Sequence, residues 1–183
     1  MTLSHRPLRS ALYIPGSKPR ALEKARNLPT DSIIFDLEDA VSAESKSEAR
    51  AILRAALAQG GYGARLKIVR INALDTPWGE ADLQALDGLD VDAVLLPKVN
   101  GAGDLDKLAN VVGTKWPLWA MLETPLGILN AGEIAAHPLL QALVCGVWLG
   151  LQAHRTIPEK AFFVLMYVAL AVSALRLIWL SLA

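Results

Sequence analysis

Short apolar runs alternate with amphipathic stretches along about the first four fifths of the chain. The apolar runs lie at residues 10–14, 32–37, 66–71, 93–96, 118–122 and 139–145, and helical periodicity is found at 19–28, 46–58, 80–86, 104–112 and 127–136. Because the runs are apolar throughout rather than at every second position, they indicate strands covered on both faces. The alternation predicts a parallel sheet of right-handed βαβ units, either doubly wound or in a barrel.

The polar residues that end the first five strands favour the barrel. These endings are Pro15-Gly16-Ser17, Asp36-Leu37-Glu38-Asp39, Arg70-Ile71-Asn72, Pro97-Lys98 and Glu123-Thr124-Pro125. In a barrel all carboxyl ends of the strands meet on one rim, whereas a doubly wound sheet gathers its ligand groups at one crevice. No glycine-rich nucleotide motif follows the first strand. We therefore predict an α/β fold, a TIM (β/α)₈-type barrel truncated after about six strands.

The remaining residues, 147–183, have a different composition. Residues 161–183 are apolar apart from Arg176 and two serines. As a helix they would extend about 34 Å, enough to cross the hydrocarbon core of a bilayer. A buried terminal helix is the alternative, but the absence of a polar stripe favours the membrane. We therefore expect a domain at 1–146, located in the cytoplasm, and a hydrophobic helical tail at 147–183 that anchors the chain through 161–183.

Charge and cysteine content limit the partners and the cellular compartment that fit this chain. The chain has 18 basic and 18 acidic residues, so no overall charge would attract nucleic acid. The single cysteine, Cys145, excludes an internal disulfide and fits a reducing compartment. The first nine residues are polar and basic, from which we expect no signal peptide.

The predicted rim carries the elements of a metal site. Asp36, Glu38, Asp39 and Glu123 supply carboxylate oxygens of the kind that Mg²⁺ prefers. Arg70 offers a planar cation for a substrate carboxylate. A divalent cation beside an arginine suits retro-aldol chemistry, because both can stabilise the enolate formed on cleavage.

Structural roles for the same residues stay open at this point. Asp36, Glu38 and Asp39 could satisfy backbone donors at the next helix, and Arg70 could be an internal ion-pair partner. Glu123 could be an acid favoured by a helix dipole. The loop of Pro15, Gly16, Ser17 and Lys18 could hold a phosphate at a helix start. The functional interpretation depends on all these groups sharing one rim.

Several longer motifs stand out along the chain. They are RSALYIPGSKPRALEKA at 9–25, DSIIFDLEDAV at 31–41, KSEAR at 46–50, VRIN at 69–72, DTPW at 75–78, LLPKV at 95–99 and LETPLGILNA at 122–131. In order and spacing, over about three quarters of the chain, these motifs resemble one enzyme family, the HpcH/HpaI aldolases and citrate lyase β-subunits.

The resemblance implies a Mg²⁺-dependent carbon–carbon lyase on a (β/α)₈ barrel, often a homo-oligomer. Its substrate would be an acyl-CoA thioester, such as citryl-CoA or malyl-CoA, or a small oxo-acid. Arg70 would bind the substrate carboxylate and Glu123 would be both a catalytic residue and a direct Mg²⁺ ligand. Glu38 and Asp39 would order the water shell of the metal, and loop 15–18 would lie near the CoA phosphates.

The chain departs from the family pattern after Gly146. Leu149 stands where the family has an aspartate that is the second Mg²⁺ ligand, and the last two βα units are missing. The C-terminal stretch beyond Gly146 resembles the end of a sulfite-exporter-like membrane permease. The alternative to a lyase is therefore an inactive, truncated or fused remnant tethered to a membrane.

Overall fold

The described part of the chain, residues 8–145 of a computed structural model, is a parallel β-sheet with helices connecting its strands. The strands are β1 (Ala11–Pro15), β2 (Ser32–Asp36), β3 (Leu66–Arg70), β4 (Ala93–Leu96), β5 (Leu118–Leu122) and β6 (Leu140–Cys145). They lie in the sheet in the order of the sequence, and each neighbouring pair is parallel. The predicted α/β class and all six strands are confirmed.

The helices follow the predicted positions with one exception. They are α1 (Pro19–Ala25), α2 (Lys46–Gln59), α3 (Gly79–Ala85), α4 (Ala102–Val112), α5 (Pro125–Leu129) and α6 (Ala131–Ala135), with a 3₁₀ turn at Ala43–Ser45. The single helix predicted at 127–136 is wrong. Asn130 separates two short helices with φ −93° and ψ 11°, and its side-chain amide donates to the Asn100 carbonyl at 2.7 Å.

The two faces of the sheet are buried in different ways. One cluster joins strand residues such as Phe35 and Val69 to residues from the helices, among them Leu53 and Leu105. A second cluster consists of alternate strand residues: Ile34, Ile68, Ala93, Leu95, Trp119 and Met121, with Leu66, Ala142 and Val144 packed on them. The helices of the larger cluster therefore cover one face, and side chains of the strands fill the other.

Within residues 8–145 the sheet does not close on itself. Among the described strands, β1 pairs with β2 alone and β6 with β5 alone, and both are more exposed than the strands between them. No described helix is long and apolar enough to cross a membrane. The predicted tail at 147–183, its membrane helix at 161–183 and the likeness to a permease all fall outside the described residues.

Candidate metal and substrate site

The carboxyl ends of four neighbouring strands bring charged residues to one edge of the sheet. Asp36 ends β2, Arg70 ends β3, and Lys98 and Glu123 follow β4 and β5. Asp36, Arg70 and Glu123 are buried, as is Glu38 just beyond β2, with at most 7% of each residue exposed. Sequential parallel strands place these ends side by side. Arg70 and Glu123 therefore share the edge that the sequence predicts.

Arg70 and Asp36 form a two-pronged ion pair in this buried edge. Arg70 Nε donates to Asp36 Oδ1 at 2.8 Å, and Nη2 donates to Oδ2 at 2.5 Å. The same carboxylate accepts the backbone N–H of Glu38 at 2.8 Å and that of Ala40 at 3.2 Å. Arg70 is therefore an ion-pair partner, as one structural alternative predicts, and Asp36 satisfies backbone donors. These donors lie in the turn after β2, however, so Asp36 does not cap the next helix.

The third nitrogen of Arg70 points to the other carboxylates. Nη1 lies 3.1 Å from Glu38 Oε2 and 3.5 Å from Met121 Sδ, and the guanidinium stacks 5.3 Å from the centre of the Tyr13 ring. Burial alone would lower the pKa of Arg70, but the hydrogen bonds and charges of Asp36, with the charge of Glu38, raise it above its ordinary value. Arg70 is therefore a permanent cation with one donor group directed at Glu38.

Lys98 contacts the three carboxylates that the resemblance assigns to the metal and its water shell. Its Nζ lies 2.5 Å from Glu38 Oε1 and 3.5 Å from Asp39 Oδ1, and its backbone N–H donates to Glu123 Oε1 at 3.0 Å. The hydrogen bond to Glu38 raises the pKa of Lys98 despite partial burial. Its φ of 53° lies in the left-handed region, which residues other than glycine seldom adopt. Such strained residues concentrate at functional sites.

The Glu123 carboxylate does not cap the helix that follows it. Burial raises the pKa of its carboxyl group against the opposing effect of the Lys98 N–H. The cap of α5 is Thr124, whose Oγ1 accepts from the Gly127 N–H at 3.0 Å and donates to Asn100 Oδ1 at 2.5 Å. Helix capping is thus carried out by Thr124, and the Glu123 carboxylate is directed to Lys98.

A second group of buried polar residues fixes the backbone between Asp36 and Asp39. Lys46 Nζ donates to the carbonyl oxygens of Leu37 and Glu38 at 2.8 and 2.7 Å. Asn72 Nδ2 also donates to Leu37 O at 2.9 Å and is itself bound to the fully buried Asp82 at 2.6 Å. These roles were not predicted, although Lys46 and Asn72 lie in the motifs KSEAR and VRIN, because only the fold brings them to the carboxylate segment.

Loop 15–18 lies against the same segment. The Gly16 N–H donates to Asp36 O at 2.8 Å, and the Lys18 N–H donates to Pro15 O at 3.2 Å. A Cβ at Gly16 would meet Leu37 Cδ2 at 2.9 Å and Asp36 O at 3.0 Å, so glycine suits this close approach. With these two amides bonded within the protein, the exposed Lys18 side chain is the loop's main group for an anion.

A cavity of about 880 Å³ opens beside these residues. Its lining includes Glu38, Asp39, Lys98, Asn72 and Trp78. This volume is in the range of small-molecule sites. The edge described above therefore has room for a ligand next to its charged groups.

The oxygen donors fit a hard divalent cation with few protein ligands. Within residues 8–145 no group of three or more histidine, cysteine, aspartate and glutamate residues is arranged as a metal cluster. Mg²⁺ commonly takes one or two carboxylates and keeps water or substrate in its other positions. Glu123 and Glu38, joined through Lys98, match that donor set. Leu149, at the position expected for a second ligand, lies outside the described residues.

Known proteins are similar to this chain in sequence and in fold. The model of the HpcH/HpaI aldolase/citrate lyase family matches residues 9–150. A (3S)-malyl-CoA thioesterase of Cereibacter sphaeroides strain KD131 is 56% identical over 140 residues, which are 76% of this chain and 49% of that protein. The chain thus spans about half the length of the curated relatives it matches.

Two solved structures from Mycobacterium tuberculosis are similar to the described fold. A citrate lyase beta subunit complexed with oxaloacetate and magnesium has a TM-score of 0.62 and 32% identity, over 76% of this chain and 60% of that chain. Protein CitE with magnesium, acetoacetate and coenzyme A has a TM-score of 0.60 and 32% identity, over 75% and 48%. By its sequence, the chain belongs to the HpcH/HpaI aldolase/citrate lyase family.

Proposed function

We propose that this chain is a Mg²⁺-dependent lyase that cleaves a carbon–carbon bond in an acyl-CoA thioester such as malyl-CoA or citryl-CoA. The observation that carries the proposal is the meeting of Glu38 and Glu123 at Lys98, directly beside the buried cation Arg70. The similarity to a malyl-CoA thioesterase and to a magnesium-bound citrate lyase beta subunit supports the same chemistry.

Each residue of the edge has a role in this proposal. Glu123 holds the cation directly, and Glu38 and Asp39 orient its water. Arg70 Nη1, the one guanidinium nitrogen not bound to Asp36, binds the carboxylate of the substrate. A bound Mg²⁺ would polarise the carbonyl oxygen and stabilise negative charge that develops there. Burial strengthens these electrostatic interactions, since the low-exposure edge screens charge less than water does.

The substrate would enter from the 880 Å³ cavity. Asn72 and Trp78 line this cavity together with Glu38 and Asp39, and Lys18 lies on the loop after β1 at the same end of the sheet. We place the CoA phosphates at this loop, with the Lys18 ammonium as their partner. The bound acyl group then lies between Arg70 and Glu123.

The arrangement of hydrophobic residues supports a (β/α)₈ barrel as the parent fold. All helices of the larger core cluster pack with one set of strand residues, while alternate strand residues pack with one another. In a doubly wound sheet, helices would cover both faces. Six sequential strands with a filled inner face correspond to the first six units of a barrel, in which the strand ends form the active site.

Self-association is part of the proposal. Large apolar side chains are exposed on α5, where Leu126, Ile128 and Leu129 are 52%, 50% and 81% exposed. Clustered exposed apolar residues are typical of protein contacts. We expect the chain to form a homo-oligomer, and light scattering coupled to size exclusion should show a mass above one chain that falls in Leu129→Ser.

The test is product analysis with the full chain, Mg²⁺ and each CoA thioester. From malyl-CoA, carbon–carbon cleavage gives acetyl-CoA and glyoxylate, whereas hydrolysis gives malate and free CoA. We expect cleavage products, lost by more than about 100-fold in Glu123→Gln, since even outer-shell substitutions lower activity 10- to 100-fold. Lys115→Met, whose lysine pairs with Asp87 and does not line the cavity, serves as the control. Turnover that is equal in wild type and Glu123→Gln would overturn the proposal.

A further inference from the structure

Lys98 combines two features that are seldom found in one residue. Its backbone is left-handed, with φ 53°, and this conformation directs the N–H at Glu123 Oε1. Its side chain is half exposed, 50%, and ends among the Glu38 and Asp39 carboxylates. The backbone is thus fixed in an uncommon conformation, whereas the ammonium group is held only by ion pairs at the mouth of the cavity.

The ammonium lies among the groups proposed to hold the cation. It is 2.5 Å from Glu38 Oε1 and 3.5 Å from Asp39 Oδ1, and the charge of Glu123 also acts on it. Arg70 occupies the other side of the Glu38 carboxylate, at 3.1 Å from Oε2. A divalent cation bound to Glu123 and the waters of Glu38 and Asp39 would meet the positive charge of Lys98 at close range.

We infer that Lys98 is a positioning residue with two separable effects on the cation site. Its backbone N–H orients Glu123, and its ammonium neutralises Glu38 and Asp39 until a divalent cation displaces it. The side chain therefore lowers the affinity for the cation while, together with Arg70, it balances the negative charge of Glu38 and Asp39 in the empty site. This inference rests on the proposed function, because it assumes that Glu123, Glu38 and Asp39 form the metal site.

Several observations favour displacement over a fixed structural ion pair. Arg70 is buried and pairs through two nitrogens with Asp36, as expected of a permanent structural cation. Lys98 instead has a long flexible stem that is half exposed and can reach water when it leaves Glu38. A bound divalent cation would repel the Lys98 ammonium in this partly screened site, and because the ammonium is exposed, it is the group that moves.

The experiment measures Mn²⁺ binding directly, by calorimetry and by the paramagnetic relaxation of water, on the full chain. Lys98→Met removes the ammonium and keeps the backbone N–H, and we expect it to bind Mn²⁺ about tenfold more tightly than wild type. Lys98→Asn is the second variant, because asparagine adopts the left-handed conformation readily. Lys107→Met, which removes an exposed charge from the same cavity, should bind as wild type does.

The outcomes distinguish this inference from the proposed function. Weaker or unchanged binding in both Lys98 variants, with wild-type binding that is lost in Glu123→Gln, would overturn the inference alone. Binding that Glu123→Gln leaves unchanged would overturn the proposed metal site and the inference with it. Undetectable binding in wild type that becomes measurable in Lys98→Met supports the inference, and undetectable binding in every variant contradicts both.

Discussion

Substitution of Asp36 by alanine should destabilise the fold severely. The carboxylate and the Arg70 side chain are 3% and 7% exposed, and the substitution removes both prongs of their ion pair. Leaving one partner of a buried pair without its counter-ion typically costs about 3–5 kcal/mol. Because Arg70 keeps Glu38 as a second counter-ion at 3.1 Å, we expect a loss of about 3–4 kcal/mol in the free energy of unfolding.

The destabilisation by Asp36→Ala should be smaller when the unpaired charge of Arg70 is also removed. In the double variant Asp36→Ala, Arg70→Met, no buried cation is left without a partner. We therefore expect the free-energy change of the double variant to be smaller than the sum of the single changes by about 2 kcal/mol. The change in Asp36→Ala corresponds to about 10 °C in melting temperature for a domain of this size.

Urea unfolding followed by tryptophan fluorescence and circular dichroism measures these changes. Lys107→Met is the control, since its side chain is 72% exposed and the variant should stay within about 0.5 kcal/mol of wild type. If Asp36→Ala unfolds at the same urea concentration as this control, the Asp36–Arg70 pair does not stabilise the fold as described here. The reasoning would also be refuted if the free-energy change of the double variant equalled the sum of the two single changes.

Three further changes test other parts of the structure. Gly127→Ala should destabilise the fold by about 3 kcal/mol, because its Cβ would lie 2.1 Å from Val99 O, whereas Gly132→Ala, with open space around its Cβ, should be neutral or stabilising in the same melt. Thr124→Ala removes the cap of α5 and should cost about 1 kcal/mol in urea unfolding; an unchanged midpoint would contradict the capping role. Glu123→Gln should raise the melting temperature at pH 7. A carboxyl group whose pKa is raised on folding destabilises the folded state once it ionises, so the gain should vanish below the ordinary pKa of 4.5, and a gain that persists there would refute this cause.

The sequence predicts the strands well because their signal is local. Continuous apolar runs flanked by turn residues marked all six strands to within one residue at either end. The helix predicted at 127–136 failed because its interruption depends on a partner distant in sequence, the Asn100 carbonyl that Asn130 binds. Helical periodicity continues through Asn130 and gives no sign of that contact.

The site was predictable only in part, for a related reason. That Arg70 and Glu123 lie at one edge could be predicted, because polar residues at the strand ends of a parallel sheet meet there. The contacts around them could not be predicted. The two-pronged pair of Asp36 with Arg70, the hydrogen bonds of Lys46 and the left-handed backbone of Lys98 all depend on how side chains meet across strands. Asp36 in particular resembles a metal ligand in the sequence, yet its oxygens serve Arg70 and two backbone amides.

The order of strands in the sheet has a consequence for how the chain acquires its structure during synthesis. Every pairing in the described sheet joins strands that are consecutive in the sequence, and the longest connection between them runs from Asp36 to Leu66. The sheet can therefore grow one βα unit at a time as the chain leaves the ribosome. Arrival of β3 brings Arg70 to the Asp36 carboxylate, β4 then brings Lys98 to Glu38, and β5 brings Glu123 last to the backbone N–H of Lys98, so each acidic group of the edge meets a donor as soon as the next strand is in place.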